Sequence, residues 1–302
     1  NSLNRMLIIL NAIDNCKLKT RTRLITACEE GDLKTVKALF NESLIDMTHE
    51  LLSNAVFYNH QEIFAFIYSK SKFRELIKYV QPSKSTSPTE SNVNNQRSFL
   101  SYALGQDNLV FFKQLLEKYK VEPNLYRLDG FPLLTHIIQT HQNPYPWIES
   151  LLAAKADPEV KANSQVKRQY APENKTEDQT PISEIKPLDV ATIKQQTKIM
   201  ELLLMAKAIP SQRHVIAAIS LNYPEGLNLL LEHKADPHKS AESYPLGLAV
   251  QEDRAPIVEL LFRYGVYSPV RDSSQCTALS EVSHVKNRVV NKEILAAFFT
   301  IV

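Results

Sequence analysis

Three cysteines and eight histidines are the side chains of this chain best suited to chemistry beyond packing. A thiol nucleophile needs an oriented base and an oxyanion site beside it. Cys276 has a different feature in its favour: it precedes a helix start at Thr277, where a helix N-terminus can lower a thiol's pKa, and His284 follows nearby in sequence. No further element that would orient the pair is readable, so a structural or incidental role is the stronger reading. His136 and His141 are five apart, as are His233 and His238, which misses the i,i+4 spacing of a helical metal pair. They read as surface or turn histidines. Cys16, Cys28 and Cys276 are too few and too scattered for a disulfide framework, and no CxxC or His-rich spacing suggests zinc. No Gly-rich phosphate loop or nucleophile elbow occurs. The expectation is therefore a chain with no catalytic residues, no cofactor and no metal, and not an enzyme.

The elements that would position any such group are set by a recurring phrase. LITACEEGDLKTVKALF (Leu24 to Phe40), KPLDVATIKQQTKIMELLL (Lys186 to Leu204) and YPLGLAVQEDRAPIVELLF (Tyr244 to Phe262) share a short helix, a small residue within it, a polar turn and a second helix ending in apolar residues. Anchoring each copy on its small residue places a large apolar group about nine positions on. Ala27 leads to Val36, Ala55 to Phe64, Ala103 to Phe112, Ala191 to Met200, Ala218 to Leu227 and Ala249 to Val258. Two further copies fit with small insertions, one from Asp129-Gly130 through Ile137 to Ile148, the other from Thr277-Ala278-Leu279 to Leu295. Anchor spacings of roughly 28, 48, 34, 54, 27 and 31 residues scatter about a period near 33, with two long exceptions explained by insertions. In this register Cys28 follows an inward anchor, so it is expected to be a small buried hydrophobe.

The layout resembles the ankyrin repeat. GLNLLLEHKADP (Gly226 to Pro237) and ESLLAAKADP (Glu149 to Pro158) look like its second helix followed by the Ala-Asp that starts a β-turn finger. Asp129-Gly130 before an apolar helix start, with Pro187-Leu188 and Pro245-Leu246 at helix N-termini, extends the likeness over nearly the whole chain. The family's Thr-Pro-Leu-His is missing from most copies. Lys155-Ala156 and Lys234-Ala235 replace its Gly-Ala turn, and since a Cβ is penalised at positive φ, several fingers are expected to be shortened or distorted. The resemblance implies an all-α ankyrin-repeat solenoid of about eight helix-turn-helix repeats with short, degenerate fingers and two long inserted loops. Such an array sums its stability from neighbour interfaces, because a lone helix pair cannot bury its apolar face.

A single solenoid over 1–302 is expected, opened by a capping helix in 1–20 that uses the apolar stretch Met6 to Leu10. The start at Asn1 and the apolar end Phe298 to Val302 lead to the expectation of a further domain beyond 302. Residues 81–97, which include QPSKSTSPTESNVNNQ, are too polar to offset their ordering entropy and read as a flexible insertion. Residues 159–184 form a long polar insertion where a finger would lie. It reads as a solvated finger or, alternatively, a partner-specific clasp, which deleting Val166 to Gln179 would distinguish.

Composition, with 44% hydrophobic and 23% charged residues, is ordinary for a globular chain, and a formal charge of +2 argues against bulk attraction to nucleic acid. No apolar run approaches the roughly 20 residues that span a bilayer. Unpaired cysteines suit the reducing cytosol. The resemblance implies a protein partner docking on fingers and exposed first-helix positions. By register these are Tyr126, Arg127, Asp129, Phe131 and Gln139, then Tyr244, Gln251 and Glu252, then Gln275. Tyr126, Arg127, Phe131 and Tyr244 are the preferred anchors because aromatic and Arg side chains dominate binding energy; Trp147 falls on a second helix and is expected to pack. The expected function is a protein-protein interaction scaffold. The rival is a targeting module of an enzyme whose catalytic part lies in flanking sequence or an inserted loop. The many Lys, Asn, Gln and Ile residues and few Gly look similar to ankyrin modules that intracellular bacteria deliver into host cells, which makes a bacterial effector in the host cytosol, with a host protein as partner, the finer expectation.

Overall fold

The computed structural model describes residues 16, 18–40, 47–70, 99–125, 127–128, 131–161, 185–238 and 245–266. The described helices come in antiparallel pairs: α1 (18–30) with α2 (Leu33–Leu39), α3 (Thr48–Phe57) with α4 (Gln61–Lys70), and α5 (Phe99–Gly105) with α6 (Leu109–Glu117). They continue as α7 (Leu133–Thr140) with α8 (Tyr145–Ala153), α9 (Pro187–Ile193) with α10 (Thr197–Met205), α11 (Gln212–Ser220) with α12 (Pro224–Glu232), and α13 (Pro245–Gln251) with α14 (Ala255–Arg263). Residues 18–20, the described end of the expected cap, form the first turn of α1. Residues 1–15 of the expected cap, the insertion 81–97, residues 162–184 of the second insertion and the last repeat near Thr277 to Leu295 lie outside the described residues.

The nine-residue rule has a backbone explanation. Each anchor carbonyl accepts the amide five residues on: Asp32 donates to Ala27 (2.9 Å), His60 to Ala55 (2.7 Å), Asn108 to Ala103 (3.0 Å), Gln196 to Ala191 (3.0 Å), Tyr223 to Ala218 (2.9 Å) and Arg254 to Ala249 (2.9 Å). This is the closing bond of a left-handed helix cap. The residue before each donor has positive φ: Gly31, Asn59, Asp107, Gln195, Asn222 and Asp253. Glycine, Asn and Asp tolerate that region best, which explains five of the six. The second helix then starts at once, and its large inward residue falls nine positions past the anchor, preceded in all but α2 by a buried residue at eight: Ile63, Phe111, Ile199, Gly226 and Ile257. All six anchors and all six partners are buried.

The chain's contacts cluster into two compact units, Asn1–Leu133 with Ala153–Lys155, and Leu134–Leu152 with Ala156–Val302. In the first, α3 packs on α5 and α2 on α4; in the second, α9, α11 and α13 pack in series, as do α10, α12 and α14. First helices thus meet first helices and second meet second, the two-layer arrangement of a helical-repeat array. The first unit's core is aromatic, built on Phe64, Phe99, Phe111 and Phe112, whereas the second is filled by aliphatic side chains such as Met200, Leu203, Leu227, Leu230 and Leu261.

Second helices close by the same device. Ala156 donates to Leu151 (2.9 Å), Ala208 to Leu203 (2.9 Å) and Ala235 to Leu230 (2.9 Å), each after a lysine of positive φ: Lys155 (66°), Lys207 (73°) and Lys234 (67°). At Lys155 and Lys234 the turn itself keeps the left-handed form of a glycine cap, and the fingers expected to be shortened or distorted beyond them, past 161 and 238, lie outside the described residues. Between Met205 and Gln212 a six-residue connection joins α10 to α11 with no strand described there. Because a non-glycine residue costs about 1–2 kcal/mol in this region and glycine returns part of that as chain entropy, replacing all three lysines by Gly should raise stability by about 1–3 kcal/mol in urea unfolding.

One β-turn finger is described. Strand β1 (Arg127–Leu128) pairs antiparallel with β2 (Phe131–Pro132), setting Arg127 opposite Pro132 and Leu128 opposite Phe131, and β2 leads straight into α7. The intervening Asp-Gly is the sequence signal of a two-residue hairpin loop.

Candidate protein-interaction surface

Of the expected contact residues, Arg127 and Phe131 belong to the finger ladder, in opposite strands. Gln139 is the penultimate residue of α7, half-buried, and its carbonyl accepts from Lys194 Nζ at the end of α9. Gln251 ends α13 and is exposed, and Glu252 in the following turn pairs with Arg254 Nη2 at 3.4 Å. Tyr126, Asp129, Tyr244 and Gln275 lie outside the described residues. Trp147 is buried in α8 with His141 against its ring, so it packs as its register implied.

The exposed face follows the same register as the core. One position before each anchor and two after it, first-helix side chains remain partly or fully exposed: Asn54 and Phe57 in α3, Val190 and Ile193 in α9, Ala217 and Ser220 in α11, Leu248 and Gln251 in α13. Tyr102 takes the first of these places in α5. Packing positions repeat their residue types from copy to copy, whereas these do not.

A polar network in the second unit was not legible from spacing. The Asp189 carboxylate receives the Lys186 N–H (2.7 Å) and Arg213 Nη2 (2.8 Å), and its other oxygen lies 2.8 Å from His214 Nε2, close but poorly aligned for a hydrogen bond. His214 Nδ1 accepts the Ser211 N–H at 2.9 Å, which fixes that nitrogen as the unprotonated one, and Ser211 Oγ sits 3.0 Å from it. Glu159 binds Lys186 Nζ at 2.5 Å with one oxygen and the Ile209 N–H at 2.8 Å with the other. A carboxylate, an imidazole and a hydroxyl in sequence suggest hydrolytic chemistry. Here, however, His214 is buried, and both the hydroxyl and the amide of Ser211 serve to cap α11. The arrangement braces the starts of α9 and α11. Its only local signal was Ser211 three residues before His214 at a helix start.

Cys28 is fully buried, and burial first, then the charge of Glu29, pushes its thiol up to about 12. It is therefore a packing residue, as its register implied. Alkylation at pH 8 should modify exposed Cys16 rapidly and leave Cys28 intact until denaturant is added, which mass spectrometry of tryptic peptides reads directly. Cys276 lies outside the described residues. Among the described residues no cluster of three or more His, Cys, Asp or Glu could hold a metal, and no helix is long and apolar enough to cross a membrane.

No family model matches the sequence, nor does any curated protein. Solved structures do. The chain is similar to the human ASB11 ankyrin repeat domain with a TM-score of 0.50 and 18% identity, over 82% of this chain and 96% of that one. It is equally similar to EF0377, an ankyrin repeat protein, at TM-score 0.50 and 18% identity over 66% of this chain and 96% of the other. The fold is the ankyrin repeat. In ankyrin terms the anchor alanines are the small first-helix residues, the left-handed lysines stand at the Gly-Ala turn, and Ser211 and His214 form a helix-start pair like the ends of Thr-Pro-Leu-His.

Proposed function

We propose that this chain is a protein-protein interaction scaffold that takes a partner on the finger and first-helix side of its repeats. The observation that carries this reading is the division of positions: anchors and their partners are uniformly buried, while the first-helix places beside each anchor are open and vary in chemistry. A surface that keeps its spacing and changes its residues suits recognition of a specific protein, and a standard interface of about 800 Å² per partner spans several repeats. Tyr126, Arg127, Phe131 and Tyr244 are the proposed anchors, with Asp129, Gln139, Gln251, Glu252 and Gln275 around them. The role is non-catalytic, in keeping with a buried Cys28 and a capped, enclosed His214.

The test is affinity capture from lysate with the chain and with a variant carrying Tyr126→Ala, Phe131→Ala and Tyr244→Ala. Loss of a captured protein from the variant supports the reading; a partner retained unchanged shows that another face binds. The Lys-, Asn- and Ile-rich, Gly-poor composition favours a host-directed bacterial effector as the finer reading, which translocation of the full-length protein into host cytosol would test.

A further inference from the structure

The seam between two first helices of the first unit holds a titratable ring. α3 and α5 pack side by side. Toward the turn end, Phe57 of α3 meets Tyr102 of α5 edge-to-face at 6.1 Å. Near the helix starts the contact is between His49 and Phe99, whose ring centroids lie 4.9 Å apart with their planes inclined at 31°. Phe99 is buried and meets Phe64 at 5.8 Å, so the imidazole stands one ring away from the centre of the unit's aromatic core. His49 is itself half-buried, and its polar neighbour is the hydroxyl of buried Ser53, 3.4 Å from Nδ1 and one turn along the same helix.

The described surroundings offer a charged imidazole little support. α5 carries one ionisable side chain, the Tyr102 phenol. α4 runs antiparallel to α3 and brings Tyr68 and Lys70 to this end, and α1, the first helix before α3, has Lys19, Arg21 and Arg23 toward its start. On α3 itself Glu50 is the one carboxylate; it is exposed and next in sequence, where helix geometry turns it about 100° away from His49. Burial pushes the imidazole below its ordinary value of 6.5. The unfolded chain therefore takes up the proton first. The stability that neutral His49 contributes is whole above pH 6.5 and is lost as pH falls from there through the lower folded value. Attraction of a cation to a phenyl face acts in the opposite sense, and the sign of the measured effect separates the two.

We propose that the α3–α5 seam is a pH-sensitive joint, in which a proton on His49 drives the imidazole off Phe99 toward water and loosens the packing of the two first helices. These helices also present Phe57 and Tyr102 on the exposed face, yet the joint works whether or not that face takes a partner. The test is a urea titration of the whole chain at about pH 7.5 and about pH 5.5. Amide signals of α3 and α5 report the first unit, and Trp147 fluorescence reports the second. A lower urea midpoint at the acidic pH is expected for α3 and α5. His49→Gln, which keeps a neutral polar side chain, should remove most of that drop and leave the Trp147 midpoint as it was. If the variant is unfolded at both pH values, the ring proton signals of the unaltered chain decide. The His49 ring should then titrate below 6.5, with the Ser53 and Phe99 amides shifting over the same range. An equal drop in His49→Gln, a midpoint that rises on acidification, or a His49 ring that titrates at or above 6.5 would overturn the proposal.

Discussion

Phe64→Ala should lower the stability of the first unit by about 3–5 kcal/mol, the range for truncating a buried aromatic residue. Phe64 is fully buried and meets Phe99 at 5.8 Å, Phe111 at 5.4 Å and Tyr119 at 4.7 Å, all edge-to-face, with Tyr68 stacked at 6.2 Å. Four rings border the space that truncation would leave, and stiff aromatic neighbours relax into a cavity only partly, so the cavity term stays large. An array couples only nearest neighbours, and the loss should therefore appear as early melting of α3 to α6 with the second unit retained. Urea unfolding followed by amide exchange distinguishes this from a uniform shift; a change below about 1 kcal/mol would show that Phe64 is not a core residue.

Gly226→Ala is expected to have the opposite sign from helix propensity. In an open helix the change would stabilise by about 0.5–1 kcal/mol. Here a Cβ on Gly226 would lie 2.1 Å from Tyr223 Cε1. The Tyr223 ring is buried and its hydroxyl is 2.5 Å from Thr197 Oγ1, so it cannot swing aside without breaking the tie between α10 and the start of α12. Burial, the larger influence on Tyr223, raises its phenol above the ordinary value, so the phenol stays neutral at physiological pH. Overpacking of this kind costs about 1–3 kcal/mol. The double variant Tyr223→Ala with Gly226→Ala removes the clash, and a thermodynamic cycle should show strong coupling between the two positions. Independent, additive effects would mean that the ring already has room to move.

The core was legible because one constraint repeats. Ala27 to Val36 and its five counterparts could be read from spacing alone, since cap, turn and second helix follow each anchor at fixed offsets. Trp147 and Cys28 followed from the same register. The lysine turns were legible in part: Lys155 and Lys234 do take the positive φ that the missing glycines implied, and the cap bonds at Ala156 and Ala235 hold them there. The network of Glu159, Lys186, Asp189, Arg213 and His214 was out of reach, because partners such as Asp189 and Arg213 are brought together only by stacking one first helix on the next. Phe57 carried a usable signal that went unread: it lies two positions past its anchor, an exposed place in every described copy that shares this turn except α1, where Glu29 is half-buried.

The most direct measurement is native-state amide exchange at Asp32, His60, Asn108, Gln196, Tyr223 and Arg254, the donors to the six anchor carbonyls. Each lies outside a regular helix, where an amide without a cap bond exchanges readily. Slow exchange at all six, comparable with helix interiors, is the expected result. Unprotected exchange at these amides would contradict the repeat register on which the fold, the exposed first-helix face and the proposed binding site depend.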